Sequence, residues 1–303
     1  MTKTTNYLLL MLITILAGTY FYITCCSSCG SGVQEEPVKE AVAAPVTPEA
    51  TSHPFAFSDG DYTFNTNDNY NFNMSSSSIL MPLSQEVTDG LASLKAYLAE
   101  NTGKVINITG YYKGDETNDT AFPNLGLARA NAVKNHFTDN GIASAQINTM
   151  GELMDDMVAE GEMFLGPITY GLSGEAENAA DDLQALYDKI NANPLVLYFE
   201  TNQAAINLSA EQRQKVADIS RYLDKVAGAS CDVIGHTDNV GPSAPNTALG
   251  QGRADFAKDY LIRNGISAAK INATSQGESQ PIESNATETG RAKNRRTVVT
   301  LKK

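Results

Sequence analysis

The chain repeats itself, and that repeat constrains its fold more than any other feature. Residues 84–98 (SQEVTDGLASLKAYL) align with 209–223 (SAEQRQKVADISRYL), and 105–110 (VINITG) with 231–235 (CDVIG). Residues 125–152 (LGLARANAVKNHFTDNGIASAQINTMGE) then align with 249–278 (LGQGRADFAKDYLIRNGISAAKINATSQGE). Two copies of one pattern imply one supersecondary unit built twice around similar apolar positions. Each copy offers a Ser before an apolar helical periodicity, as a helix N-terminus does. Each also offers a short apolar run ending in Gly, then an amphipathic helix that Asn140-Gly141 or Asn264-Gly265 terminates in left-handed backbone.

Each unit therefore reads strand, helix, strand, helix, strand. The first strands are expected at Asn71–Met74 and Leu195–Glu200, and the last near Phe164–Leu172 and Thr297–Leu301. Alternating elements of this kind predict an α+β fold, a mixed sheet with helices packed on it, in two tandem βαβαβ domains. Between the units, Glu175–Ile190 sets Leu183, Leu186, Tyr187 and Ile190 on one face and reads as a connecting helix. Cys231 lies in an apolar run and is expected as a buried small residue.

Ahead of the repeats, Tyr7–Ile23 carries no charge and follows Lys3. Seventeen residues stand at the short end of a membrane-spanning helix, roughly 17–25 residues, and exceed most signal-peptide cores, roughly 7–15 residues. Two readings stand: an uncleaved anchor, and a lipoprotein signal, to which Tyr22-Ile23-Thr24 before Cys25 fits poorly and Ile23-Thr24-Cys25 before Cys26 only in part. The positive-inside rule exports everything after Ile23. Cys26-Ser27-Ser28-Cys29 has CxxC spacing, but no second ligand pair accompanies it, so a membrane-proximal cluster, disulfide-linked between chains, fits better than zinc or redox chemistry. Residues 33–54 are rich in Glu, Ala, Val and Pro and read as an extended tether reaching on the order of 70 Å at about 3.1 Å per residue. The expected organisation is thus an anchor or signal in 1–24, a Cys cluster and linker in 25–54, domains in 55–172 and 193–303, and a connector in 173–192.

The net charge of -13 excludes a general nucleic-acid binder. That charge is uneven. Residues 193–303 hold 14 Lys+Arg against 11 Asp+Glu, so the acidic excess belongs to the remainder of the chain.

The second unit carries four short motifs in order: Phe199-Glu200-Thr201-Asn202, Gly235-His236-Thr237-Asp238, Leu249-Gly250-Gln251-Gly252-Arg253-Ala254, and Gly290-Arg291-Ala292-Lys293-Asn294-Arg295-Arg296. A carboxylate and a guanidinium held close together suit a zwitterion, and Arg matches a carboxylate better than Lys because its fork binds both oxygens. Asp238 lies just past a strand, and Arg253 is expected to open a helix. Without the other motifs, a structural Asp238–Arg253 salt bridge would be the simpler reading, and Arg295-Arg296 would read as a solvated charge pair before an edge strand. Taken together, residues 195–303 resemble the OmpA-like family of peptidoglycan-binding domains. The resemblance implies non-covalent binding of the peptidoglycan stem peptide through its diaminopimelate residue. Asp238 would take the ligand's ammonium and Arg253 a carboxylate, with Asn202 and Arg295 at further contact positions and Asn294 beside them. It implies a bacterial envelope protein with both domains in the periplasm, attached to a membrane, the outer one foremost and the inner as the alternative.

The first unit departs from the pattern. Gly110-Tyr111-Tyr112-Lys113 replaces the second motif, so Lys113 stands in place of Asp238, while Arg129 is retained. The counterpart of Asn202 falls near Ser77, and Gly161-Glu162-Met163-Phe164 occupies the region of the last motif. Lys113 beside Arg129 would repel an ammonium group, so this unit is expected to keep the fold and lose the ligand. An inert scaffold, a dimer surface, or a dock for another envelope protein fits it.

No cofactor or metal is implied: His53, His136 and His236 lack ligand spacing, and Gly250-x-Gly252 is only half a dinucleotide loop. No nucleophilic triad or carboxylate pair stands out, so catalysis is not expected. A stator-type subunit of an ion-driven machine is the rival reading; it would need an ionisable group within the membrane helix, and Tyr7–Thr24 has none.

Overall fold

The computed structural model describes residues 3–26, 49–174, 179–199 and 207–303. Residues 49–303 form one compact unit, and the N-terminal segment is a separate one. In that segment, helix α1 (Lys3–Phe21) is followed by a π-helical turn at Tyr22–Cys26. Helix α1 opens on Lys-Thr-Thr-Asn. The apolar part that remains, 7–21, is about 22 Å long at 1.5 Å per residue, against a hydrocarbon core of roughly 30 Å. Among the described residues no helix is long and apolar enough to cross a membrane, so the expected spanning helix is not borne out.

The tether also ends earlier than expected. Residues 49–54 lie on the first half, where the Thr51 backbone N–H donates to Val158 O at 2.9 Å and the His53 ring stacks on Tyr111. These contacts satisfy backbone groups and bury apolar surface, which a free tether could not do.

In the first half, a hairpin of β1 (Phe55–Asp59) and β2 (Tyr62–Thr66) leads to the short β3 (Phe72–Asn73). Helix α2 (Gln85–Glu100), strand β4 (Lys104–Tyr112), helix α3 (Leu125–Asp139) and strand β5 (Ile147–Leu153) follow, then β6 (Met163–Phe164) and β7 (Ile168–Gly174). The sheet order is β5-β4-β7, with β5 parallel and β7 antiparallel to the central β4. The expected first strand at Asn71–Met74 is corrected: β3 pairs with β6 outside this sheet, and it is β1 that packs beside β7. Phe55 decides the matter, since its fully buried ring meets Phe57, Phe64, Tyr70, Phe137 and Tyr170.

In the second half, α4 (Ala179–Ala192) precedes β8 (Leu195–Tyr198), α5 (Ala210–Lys225), β9 (Ser230–His236), α6 (Ser243–Arg263), β10 (Ile271–Gly277), α7 (Glu288–Asn294) and β11 (Arg296–Lys302). The sheet order is β10-β9-β11-β8, again with a parallel pair on one side of the centre and an antiparallel neighbour on the other. Helix α5 begins in a capping box, where Ser209 Oγ accepts the Gln212 N–H and the Gln212 side chain accepts the Ser209 N–H. Ser84 likewise caps α2 through the Val87 N–H. Gly141 and Gly265 stop α3 and α6 at φ of +92° and +88°, as their sequences predict. Helix α4 packs Leu183, Leu186, Tyr187 and Ile190 on the second core, together with Leu197, Val216, Leu223 and Val299. Cys231 is fully buried there, and burial pushes its thiol up to about 12.

The halves touch directly. Lys134 Nζ pairs with Asp224 Oδ2 at 2.5 Å, Ser144 Oγ donates to Asp224 O at 2.9 Å, and the Ala121 N–H donates to Asn264 Oδ1 at 2.9 Å.

Candidate functional site

The site of the second half forms where β9 ends. A Cβ on Gly235 would collide with the Gly250 carbonyl, so this glycine pair lets α6 lie hard against the strand. Arg253 sits three residues beyond Gly250, on the same helix face, at the strand's end. Its Nη1 donates to His236 O at 3.0 Å, and its guanidinium lies 5.9 Å from the centre of the Phe199 ring. Arg253 does not open the helix as expected. Helix α6 starts at Ser243, and Arg253 lies about three turns in. Burial lowers its pKa, the nearby Asp238 charge raises it, and the Arg295 charge lowers it further, with a net downward shift.

Asp238 lies two residues past β9 in a loop pinned from both sides. The Thr237 N–H donates to Gly277 O at 2.9 Å, and Asn246 Nδ2 donates to Asp238 O at 3.4 Å. One carboxylate oxygen of Asp238 accepts the Val240 N–H at 3.1 Å, and the other accepts Arg295 Nη1 at 2.9 Å. The structural partner of Asp238 is therefore Arg295 and not Arg253. Arg295 Nη2 reaches Glu288 Oε1 at 2.8 Å, and hydrogen bonds to both carboxylates raise the pKa of Arg295 against a smaller effect of burial. Asp238 and Arg295 are each only 13% exposed, so little water competes with them.

Two buried side-chain polar atoms beside Asp238, Thr237 Oγ1 and Arg295 Nε, lack a hydrogen-bond partner among the described residues. Buried polar atoms are normally satisfied, so these two are exceptions to the usual pairing. Burial and the Arg296 charge push the His236 imidazole down to about 4, so it is neutral at physiological pH.

The remaining expected residues separate. Asn202 lies outside the described residues. Asn294 is fully buried and fastens the preceding loop: Oδ1 accepts the Ile282 and Glu283 N–H groups, and Nδ2 donates to Glu283 O and Asn285 Oδ1. With both of its oxygen lone pairs and both N–H groups engaged, it is a loop clamp and not a ligand contact. Arg296 is buried, with its Nη2 turned inward onto Gln280 O at 3.1 Å, so the simpler alternative of a solvated charge pair does not hold for it. Glu288 was missed; the signal that could have found it is the Thr287 N-cap of α7, which puts an acid in the first turn.

The first half contains a similar strand–helix contact. A Cβ on Gly110 would collide with the Gly126 carbonyl, and Arg129 Nη1 donates to Tyr111 O at 2.9 Å, as Arg253 does to His236 O. The strand registers align Thr297 opposite Gly235 and Ile168 opposite Gly110. The counterpart of Asn294-Arg295-Arg296 is thus Leu165-Gly166-Pro167, which corrects the expected Gly161–Phe164. Arg129 is completely buried, and the Glu116 carboxylate grips it through two nitrogens, at 3.0 and 2.5 Å. Burial pushes the Glu116 carboxyl up, but hydrogen bonds from Arg129 and from the Lys113 and Ser75 N–H groups outweigh it and hold it below the ordinary range.

Residues 198–295 match the model of the OmpA family. This stretch is an OmpA-like domain. Over 81 residues the chain is 42% identical to outer membrane porin F of Pseudomonas fluorescens, covering 27% of this chain and 25% of that protein. Over 103 residues it is 33% identical to a peptidoglycan-associated lipoprotein of Buchnera aphidicola, covering 34% of this chain and 58% of that one. The chain therefore spans a quarter to somewhat over half the length of these two relatives. A solved peptidoglycan-associated lipoprotein from Burkholderia pseudomallei aligns at 25% identity and a TM-score of 0.34, over 39% of this chain and 99% of that one. Asp238, Arg253 and Arg295 all lie within the OmpA-like stretch. A cavity of about 490 Å³ lies away from them, between the halves, lined by Asn107, Asn131, Lys134, Arg221 and Asp224 among others.

Proposed function

We propose that this protein binds peptidoglycan non-covalently and holds it to the cell envelope. The OmpA-like domain takes the diaminopimelate side chain of the stem peptide, a zwitterion, between two fixed charges. Asp238 receives the ammonium, and Arg253 receives the carboxylate through the edge of its guanidinium that does not bond His236 O. Arg295 orients Asp238, and its unpartnered Nε, with Thr237 Oγ1, adds polar contacts. Asn202 completes the site as a further contact. No bond is made or broken, so the action is that of a wall anchor and not of an enzyme.

The observation that carries this reading is that Asp238 and Arg253 are close enough to feel each other's charge yet do not bond each other, Asp238 being held by Arg295 and Arg253 by His236 O. Had Asp238 and Arg253 been a structural salt bridge, they would have bonded each other directly. We infer further that residues 55–172 are a degenerate tandem copy of the same domain, followed by a connector in 173–192 and the binding domain in 193–303. A lipid on Cys25 or Cys26 would tether the chain, with residues up to 48 as spacer; the mass of the mature N-terminal peptide tests this, and an unmodified, uncut N-terminus would refute it. A partner for the first copy would be another envelope protein.

The binding site is tested by co-sedimentation of the full chain with purified sacculi. Asp238→Ala and Arg253→Ala are expected to lose sedimentation, and Arg129→Ala to keep it. Retention of both second-copy variants would overturn the assignment.

A further inference from the structure

The Glu116 carboxylate has the surroundings of a bound ligand rather than of a surface acid. Oε1 accepts the Ser75 N–H at 2.8 Å and Arg129 Nη2 at 2.5 Å, while Oε2 accepts the Lys113 N–H at 2.9 Å and Arg129 Nη1 at 3.0 Å. Each oxygen thus takes two donors, which is the full complement of a carboxylate. The guanidinium and the carboxylate are 0% and 1% exposed, and the rings of Phe72 and Phe164 flank the guanidinium at 5.8 and 5.3 Å. The remaining Arg129 nitrogen, Nε, is held by Ser76 O at 3.0 Å. In the second copy the equivalent arginine makes the same bond to the strand-end carbonyl, yet among the described residues it grips no carboxylate.

We propose that the first copy is a complete carboxylate-binding site whose occupant is the chain's own Glu116, and that a short free carboxylate takes the same place once that side chain is truncated. The proposal rests on the reading of Arg253 as a carboxylate site and extends it to the copy that sequence comparison leaves without a ligand. The first copy is then silent toward the wall because it is already filled, as well as because Lys113 replaces the acid. Lys113 stands at the position of Asp238, so the opened site accepts a plain carboxylate and disfavours one that carries an ammonium.

The test uses the full chain and acetate. Glu116→Ala deletes one methylene and the carboxylate, the size and charge of acetate. In chloride, this variant is expected to melt roughly 10 °C below the wild type, the loss that an unpaired buried arginine implies at 2–4 °C per kcal/mol. Replacing chloride with acetate at equal ionic strength should recover at least half of that loss, saturably. It should leave the wild type and the apolar double variant Glu116→Leu/Arg129→Met unmoved, and glycine should recover less than acetate. Equal melting of Glu116→Ala in acetate and chloride would overturn the proposal. If the alanine variant does not fold, Glu116→Gln, of the same shape, keeps the test open: it must melt below the wild type, and equal stability would refute a charge-matched occupant. These readouts are thermal, so their failure would leave the sacculus result for Asp238 and Arg253 untouched.

Discussion

Arg129 and Arg253 each donate Nη1 to a strand-end carbonyl, Tyr111 O and His236 O, and truncating each to alanine should separate stability from binding. Arg129→Ala leaves the Glu116 carboxylate buried without a counter-charge. Breaking such a pair costs about 3–5 kcal/mol. It also strips the donor from Ser76 O and Tyr111 O, bonded at 3.0 and 2.9 Å, and each orphaned carbonyl adds up to about 1–3 kcal/mol, not fully additively. A loss of at least about 5 kcal/mol follows. Arg253→Ala removes one hydrogen bond, to His236 O, and a 5.9 Å approach to Phe199, from a side chain that still touches solvent. That loss should be about 1–2 kcal/mol. The gap between the variants is then about 3 kcal/mol, or about 10 °C in melting temperature at 2–4 °C per kcal/mol. Urea unfolding followed by circular dichroism reads the stability, and sacculus co-sedimentation well below both melting points reads the binding. Arg129→Ala should be the less stable and still bind; Arg253→Ala should be the more stable and not bind. If Arg253→Ala proves as destabilising as Arg129→Ala, the second arginine is a structural element and the reasoning fails.

Two further predictions concern the frame and its protonation. Gly235→Ala drives a Cβ into the Gly250 carbonyl, backbone against backbone, so α6 must shift. A loss of about 1–3 kcal/mol is expected, with weaker sacculus binding because Arg253 rides on that helix; wild-type stability in a melting curve would refute the close approach. The folded His236 pKa of about 4 lies below its ordinary 6.5, so the unfolded chain binds more protons between those values. Stability should therefore fall as pH drops from about 6.5 to about 4, by up to about 3 kcal/mol from this group. His236→Gln should flatten that slope, and an unchanged slope would show that other groups govern it.

Much of the frame was legible in the chain because it is local. Apolar spacing set the buried faces of α2, α3, α4 and α5. Ser84 and Ser209 marked helix starts, and Gly141 and Gly265 marked helix ends, where backbone conformation depends on neighbours in sequence. The glycines ending VINITG and CDVIG, together with the LG pairs, announced strand and helix in contact, although only the structure shows that a Cβ cannot fit between them. The order of Asp238, Arg253 and Arg295 along the chain was enough to nominate them as one site.

What the chain order did not contain was which charges meet, because loops far apart in sequence decide it. Asp238 closes on Arg295, 57 residues away, and not on Arg253, because β11 lies antiparallel to β9 and brings residue 295 beside the strand's end. The carboxylate of Glu116 meets Arg129 because the loop after β4 brings residue 116 onto that guanidinium, a contact that leaves no periodicity to read. The first strand was misassigned to Asn71–Met74 because Phe55 and Phe72 are equally apolar in sequence, and only the aromatic cluster around Phe55 distinguishes them. The sequence by itself determined an α+β frame with an Asp and an Arg near the end of a strand in the second half. The tertiary structure decided which arginine is left with guanidinium edge to spare, because Glu116 closes on the fully buried Arg129 while Asp238 closes on Arg295 and leaves Arg253 without a carboxylate among the described residues.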